Sequence, residues 1–184
     1  MLAFADLIYL DVPKPGSTRI AEVLRAHLAG PFDGGVRHRP LARADRRPRL
    51  LSVRNPAAWY RSLFAYGCAG RGRVFARLAA AGREGLYDPT MTGFARWLHW
   101  ILDPDNASVL GHGYAGRLPE LIGFASFEVL RMALPGSDRI LPTLGTRHDI
   151  TVRFSHPAFA PDALIRCEHL EADLLTAVRD LNLP

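Results

Sequence analysis

Short continuous apolar runs alternate along this chain with stretches whose apolar residues recur every three or four positions. Leu7-Ile8-Tyr9-Leu10, carried on to Val12 and ended by Pro13, predicts a short buried strand. Ile20, Val23, Leu24 and Leu28 then keep the i, i+3, i+4 spacing of a helix that Ser17 or Thr18 caps and Gly30-Pro31 stops. Pro31 to Pro48, rich in Gly, Pro and Arg, reads as loop. Leu50-Leu51-Ser52-Val53 predicts a second strand, stopped by Asn55-Pro56. Pro56 suits the first position of a helix running through Tyr60, Leu63 and Phe64 to Gly67, because the missing amide hydrogen costs nothing there.

The later pattern is more helical. An alanine-rich helical piece lies among Arg71, Arg73, Arg77 and Arg83. Thr90 or Thr92 opens an amphipathic helix bearing Phe94, Trp97, Leu98 and Ile101, ended by Asp103-Pro104, and a further helix is predicted over Leu118 to Leu134. Ala163 to Cys167 predicts a late strand. Glu168 to Leu183 then predicts a helix with Leu170, Leu174, Leu175, Val178 and Leu181 on one face. Strand followed by helix, in this repeating order, predicts an α/β fold with a central parallel sheet flanked by helices.

Length and composition narrow the class without naming it. At 184 residues the expectation is one domain with a sizeable core, and 48% hydrophobic against 22% charged residues excludes wholesale disorder. No apolar stretch approaches the roughly 20 residues that cross a bilayer, so no membrane role is expected. The N-terminus shows no secretory pattern. Two cysteines, Cys68 and Cys167, make no disulfide framework and no metal set, so the expected compartment is a reducing cytoplasm and no metal is assigned.

The charge is more informative. A net +5 and a pI near 9.8 favour an anionic partner. Six arginines (Arg37, Arg39, Arg43, Arg46, Arg47, Arg49) face one acid, Asp45, between positions 37 and 49. That stretch holds no aromatic residue on which a base could stack, which weighs against nucleic acid and leaves a solvated loop or a small anionic ligand as readings. Of the 23 Lys and Arg residues all but Lys14 are arginine. The single ammonium sits in Asp11-Val12-Pro13-Lys14-Pro15-Gly16-Ser17-Thr18, between the first strand and the first helix. An ammonium is a compact, rotatable point charge where a guanidinium is a rigid fork. Amides at a helix start beside a lysine are the ingredients of an anion cradle. The order is not that of the nucleotide P-loop, since the lysine precedes the glycine.

A second motif, Arg54-Asn55-Pro56-Ala57-Ala58-Trp59-Tyr60-Arg61-Ser62, closes the second strand and opens a helix. Together the two resemble the sulfotransferases that use 3′-phosphoadenosine 5′-phosphosulfate (PAPS). Pro-Lys-x-Gly followed by two hydroxyl residues is similar to that family's 5′-phosphosulfate loop, and an arginine followed eight residues later by a serine is similar to its 3′-phosphate pair. Leu164-Ile165-Arg166-Cys167-Glu168-His169-Leu170-Glu171-Ala172-Asp173-Leu174 resembles its late strand-and-helix signature, with Glu168 read as structural, tying the strand end to neighbouring loops. His38-Arg39-Pro40-Leu41 looks most like the bacterial and carbohydrate-type members, and the middle of the chain, Gly70 to Ser155, resembles the family weakly.

The resemblance implies a three-layer, P-loop NTPase-like sulfotransferase fold as a single domain over residues 1–184, ending before the family's usual C-terminal segment. It implies sulfuryl transfer from PAPS to a hydroxyl on a carbohydrate or small molecule, leaving 3′-phosphoadenosine 5′-phosphate (PAP). Lys14 would stabilise the bridging oxygen; Lys14, Pro15, Gly16, Ser17 and Thr18 would hold the 5′-phosphosulfate, and Arg54 and Ser62 the 3′-phosphate. Histidine is the base that works near neutral pH, and His38 ranks first of seven, with His112 in Gly111-His112-Gly113 second. Trp59, Tyr60, Trp97 and Trp100 are either acceptor-pocket or core residues. Two rivals stand beside this reading. One is a nucleotide-dependent kinase-like enzyme, which lacks a Walker lysine position and a Mg²⁺ carboxylate after a strand. The other is a catalytically degenerate module that binds anions or nucleic acid.

Overall fold

The computed structural model describes residues 1–27, 32–41, 43, 45–155, 157, 159 and 161–183. Leu28, the Gly30-Pro31 stop and His156 lie outside the described residues. Among the described residues five strands form one sheet: β1 (Leu2–Phe4), β2 (Ile8–Leu10), β3 (Phe32–Gly34), β4 (Arg49–Val53) and β5 (Ala163–Arg166), in the order β3-β1-β2-β4-β5. β2, β4 and β5 are parallel, with Tyr9 opposite Leu50 and Ser52 opposite Ile165. β1 pairs antiparallel with both β2 and β3. The sheet is therefore mixed, and the expected all-parallel sheet holds only for the strands read from the sequence.

The two antiparallel strands were not expected, and each has a physical reason for that. β1 is three residues long, all buried, too short to show a period. β3, Phe32-Asp33-Gly34, lies in the segment read as loop, and Asp and Gly are poor strand residues. It is held by its neighbour: Gly35 passes so close to β1 that a Cβ there would stand 2.6 Å from the Met1 carbonyl oxygen.

The helices are α1 (Ser17–His27), α2 (Pro56–Cys68), α3 (Arg73–Ala80), α4 (Met91–Leu102), α5 (Ala107–Leu110), α6 (Leu118–Leu121), α7 (Phe124–Ala133), α8 (Ser137–Ile140), α9 (Arg147–Phe154) and α10 (Leu170–Asp180). Thr90 caps α4, its hydroxyl accepting from the Gly93 amide at 3.0 Å. The single helix expected over 118–134 is broken where Ile122 turns extended (φ −140°, ψ 147°) before Gly123. α10 starts later than expected, after a 3-10 turn at Cys167–His169. No helix among the described residues is long and apolar enough to cross a membrane.

The chain divides into two compact units: Met1–Asn55 with Glu128–Ser137 and Ile150–Pro184, and Pro56–Phe127 with Asp138–Asp149. The first contains the sheet. Leu2, Phe4, Tyr9, Leu50 and Ile165 share one face of it by strand alternation and pack with Ile20 and Leu24 of α1 and Leu174 and Ala177 of α10. Burying each large side chain there contributes about 1.5–3 kcal/mol. One polar pair lies in this core: the Tyr9 hydroxyl and Ser52 Oγ are 2.8 Å apart, and burial pushes the phenol above its ordinary range. The second unit is helical, with rings packed around Trp97, which is fully buried and has the Phe64 centroid 5.3 Å away. Trp59 and Tyr60 are buried in the same unit.

Candidate functional site

β2 runs into Asp11 and Val12, both fully buried, before the chain leaves the sheet at Pro13. Lys14 then takes a left-handed backbone (φ 78°), as does Gly16 (φ 73°). For a residue with a side chain that conformation costs about 1–2 kcal/mol, so the turn must be held by its surroundings. Contacts from β4 and α10 help to hold it. Arg54, at the end of the adjacent parallel strand, donates from Nη1 to the Lys14 carbonyl at 3.3 Å. Gly16 packs against the start of α10, where a Cβ would stand 2.9 Å from Leu170 Cδ1. α1 begins at once, Ile20 N–H donating to the Gly16 carbonyl at 3.1 Å.

Parallel pairing puts the C-terminal ends of β2, β4 and β5 at one edge of the sheet. Lys14 and Arg54 thus meet at the N-terminus of an 11-residue helix. Burial, and behind it the Arg54 charge, holds the Lys14 ammonium below its usual pKa. Just past β5, Glu168 Oε1 accepts the Asn55 N–H at 2.9 Å, tying the strand ends together as its structural reading expects. That amide bond, with a further backbone bond and the charges of Arg54 and His169, lowers the Glu168 pKa. Just before it, Arg166 grips Asp173 through Nε and Nη2, both at 2.9 Å, and fixes α10 to β5.

The segment after β3 supplies Arg37, which the sequence did not single out, beside His38, which it did. Arg37 donates from Nε to Asp11 Oδ2 (3.2 Å), from Nη1 to Thr18 Oγ1 (3.1 Å) and from Nη2 to Ser17 Oγ (2.7 Å). Ser17 is the first residue of α1, not its cap, and both hydroxyls accept from this guanidinium. His38 is also left-handed (φ 59°). Its N–H donates to Asp11 Oδ1 at 3.0 Å and its Nδ1 lies 2.7 Å from the Asp11 carbonyl oxygen. Its own carbonyl accepts from Arg131 Nη2 at 3.3 Å. Arg131 is itself buried and paired to the buried Glu128 at 3.2 Å. Asp11 is the missed residue at the centre. A carboxylate after an apolar run looks like an ordinary turn residue, and only its complete burial distinguishes it. The Met1 ammonium also lies 3.0 Å from Asp11 Oδ1.

Lys14, Pro15, Gly16, Ser17, Thr18, Arg54 and His38 therefore come together in the first unit. Ser62 is half-buried on α2, in the second unit. His112 is exposed in that unit, in a tight left-handed turn at φ 58°. Among the described residues no three His, Cys, Asp or Glu side chains gather as a metal ion requires. Both cysteines are free, and burial raises the Cys68 thiol pKa, the opposite of an activated nucleophile. Comparison with protein-family models, with curated proteins and with solved structures found no match.

Proposed function

We propose that this protein is a sulfotransferase that moves a sulfuryl group from PAPS to a hydroxyl on a carbohydrate or small molecule. The observation that carries the reading is the left-handed Lys14 at the start of α1 with Arg54 bonded to its carbonyl, two cations converging on a helix N-terminus. The residues present suit an anionic cosubstrate, because outward amides, a helix dipole and an ammonium act together on one phosphate or sulfate group. Arg37 adds a third cation, anchored by the Ser17 and Thr18 hydroxyls. The parallel strands β2, β4 and β5 with α1 support this reading, β1 and β3 lying along one side of them.

In this reading Lys14 neutralises charge on the bridging oxygen as the sulfuryl group leaves the 5′-phosphate. The amides opening α1 hold that phosphate, and Arg54 binds the 3′-phosphate. Such charge stabilisation by fixed donors is the largest single contribution to most transfers of this kind. His38 takes the proton of the acceptor hydroxyl. Cytoplasm is the compartment that free thiols fit.

The internal partners of Arg47 and Arg49 favour this reading over a nucleic-acid module, since their guanidiniums are already tied within the fold. Calorimetry with PAP, adenosine 5′-phosphate and ATP tests it. PAP is expected to bind well above the other two; equal affinity for PAP and adenosine 5′-phosphate removes the reading. Radiolabelled PAPS with a panel of sugars and phenols then tests transfer, and binding without transfer points to the degenerate anion-binding module.

A further inference from the structure

We propose that Asp11 is a positioning residue: it holds the His38 imidazole as the Nδ1–H tautomer and leaves the Nε2 lone pair facing outward. The carbonyl oxygen of Asp11, 2.7 Å from Nδ1, can only accept a hydrogen bond. At that distance an unprotonated Nδ1 would set lone pair against lone pair, so the ring must carry its proton there. The Asp11 carboxylate, with Oδ2 at 3.5 Å from the same nitrogen, is a second acceptor on the same side. The tautomer of a histidine is set by the bond its other nitrogen makes, and here that leaves Nε2 as the basic atom.

The same aspartate fixes the rest of the residue. Its Oδ1 accepts the His38 N–H at 3.0 Å, and its Oδ2 accepts Arg37 Nε at 3.2 Å, locking the neighbouring side chain onto the start of α1. Arg131 holds the His38 carbonyl from the other side. Three of the four polar groups of His38 are thus bonded, and Nε2 has no hydrogen-bond partner among the described residues. The ring is 40% exposed while Asp11 is fully buried, so the acceptor nitrogen is on the open side and its support is inside. Asp11 also lies only three residues ahead of Lys14, so the chain that orients the base is the chain that carries the cation.

The role given to Nε2 rests on the sulfuryl-transfer reading; the tautomer does not. In that reaction the acceptor oxygen bonds to sulfur while the bond from sulfur to the phosphate oxygen breaks. The leaving PAP phosphate keeps that electron pair, and the hydroxyl proton moves to Nε2. The resulting imidazolium keeps its Nδ1–H bond to the Asp11 carbonyl and gains the carboxylate beside it, so no group need reorganise as the charge appears.

Long-range ¹H–¹⁵N correlation spectra of the ¹⁵N-labelled chain, recorded at alkaline pH where imidazole is neutral, read the tautomer directly. His38→Asn assigns the signal by its loss. The expected result is a protonated, pyrrole-type Nδ1 and a bare, pyridine-type Nε2 for His38. An Nε2–H ring in the unaltered chain overturns the proposal without any variant. In Asp11→Asn, which keeps the backbone carbonyl but loses the charge that anchors Arg37, the two ¹⁵N shifts are expected to move toward each other as the tautomers average. Unmoved shifts in that variant show that the carboxylate has no positioning role. Failure of PAP to bind, with an Nδ1–H ring, removes the sulfuryl-transfer reading and leaves the tautomer assignment standing.

Discussion

Arg37 and Arg47 belong to one arginine-rich stretch and meet opposite surroundings. Arg47 is saturated by acceptors: both oxygens of Asp45, Asp33 Oδ2 and the Phe4 carbonyl all lie within 3.1 Å. It ties the loop to β1, and its bonds hold the Asp45 carboxyl down at a pKa of about 2. Arg37 has one carboxylate, shared with the His38 amide, and spends its other two nitrogens on the Ser17 and Thr18 hydroxyls. It sits at the positive end of a helix dipole near Lys14 and Arg54, where a cation is unfavourable by itself. The contrast separates an arginine saturated by two carboxylates and a carbonyl from one that shares a single buried carboxylate and otherwise rests on neutral hydroxyls.

Removing the carboxylate under Arg37 should have the largest effect. Asp11→Ala leaves a part-buried guanidinium and a part-buried amide without their acceptor, and losing one member of such a group costs about 3–5 kcal/mol. A urea midpoint that falls accordingly at unchanged slope checks it; a loss below 1 kcal/mol would break the contrast drawn above.

Lys14→Ala comes next, and acts on binding more than on folding. Losing a charge-assisted contact of about 1.5–3 kcal/mol should weaken PAP roughly tenfold to a hundredfold in calorimetry. Lys14→Arg should not restore transfer, because a planar fork cannot place one donor as an ammonium does in a turn closed by Pro13 and Pro15. The pH dependence sharpens the point. The Lys14 pKa is lowered, so PAP affinity should begin to fall, as pH rises, before the ordinary lysine range is reached.

Arg47→Ala should have the smallest effect and leave PAP affinity unchanged. Its ion pairs are partly exposed, so the stability loss should be about 1–2 kcal/mol. The pH signature has a definite sign. The folded-state pKa of Asp45 lies below its usual 3.8, so its contribution is fully present above that value and is lost as pH falls toward about 2. Arg47→Ala should flatten the acid limb of the stability curve over that window, and an unaltered limb in pH-dependent urea titrations would reject the assignment.

The strands β2, β4 and β5 were legible because each couples an apolar run to a turn signal, and the helices after the first two because Gly16 and Pro56 mark their starts. β1 and β3 were not, since three-residue strands carry no rhythm and exist through their partners. α9, polar and in a segment with no apolar period, escaped for the same reason. At the site, Lys14 stood out by rarity and Arg54 by spacing. Arg37 was hidden among its five neighbours, and Asp11 by its resemblance to any loop aspartate. Burial and long-range bonding define both, and neither is written in local sequence.

The contact of Gly16 with Leu170 has a consequence for how the protein is made. The turn at Lys14 is encoded near the N-terminus, yet the residues that close it, Glu168 on Asn55 and Leu170 on Gly16, lie more than a hundred positions downstream. β5 joins β4 across a similar interval, Ala163 opposite Leu50. Contacts of such sequence separation form late and slowly, because the entropy of closing the loop is spent before they stabilise anything. On a translating ribosome the turn would therefore be exposed and incompletely walled until residues 163–174 have emerged, which makes assembly of the site one of the last events of folding.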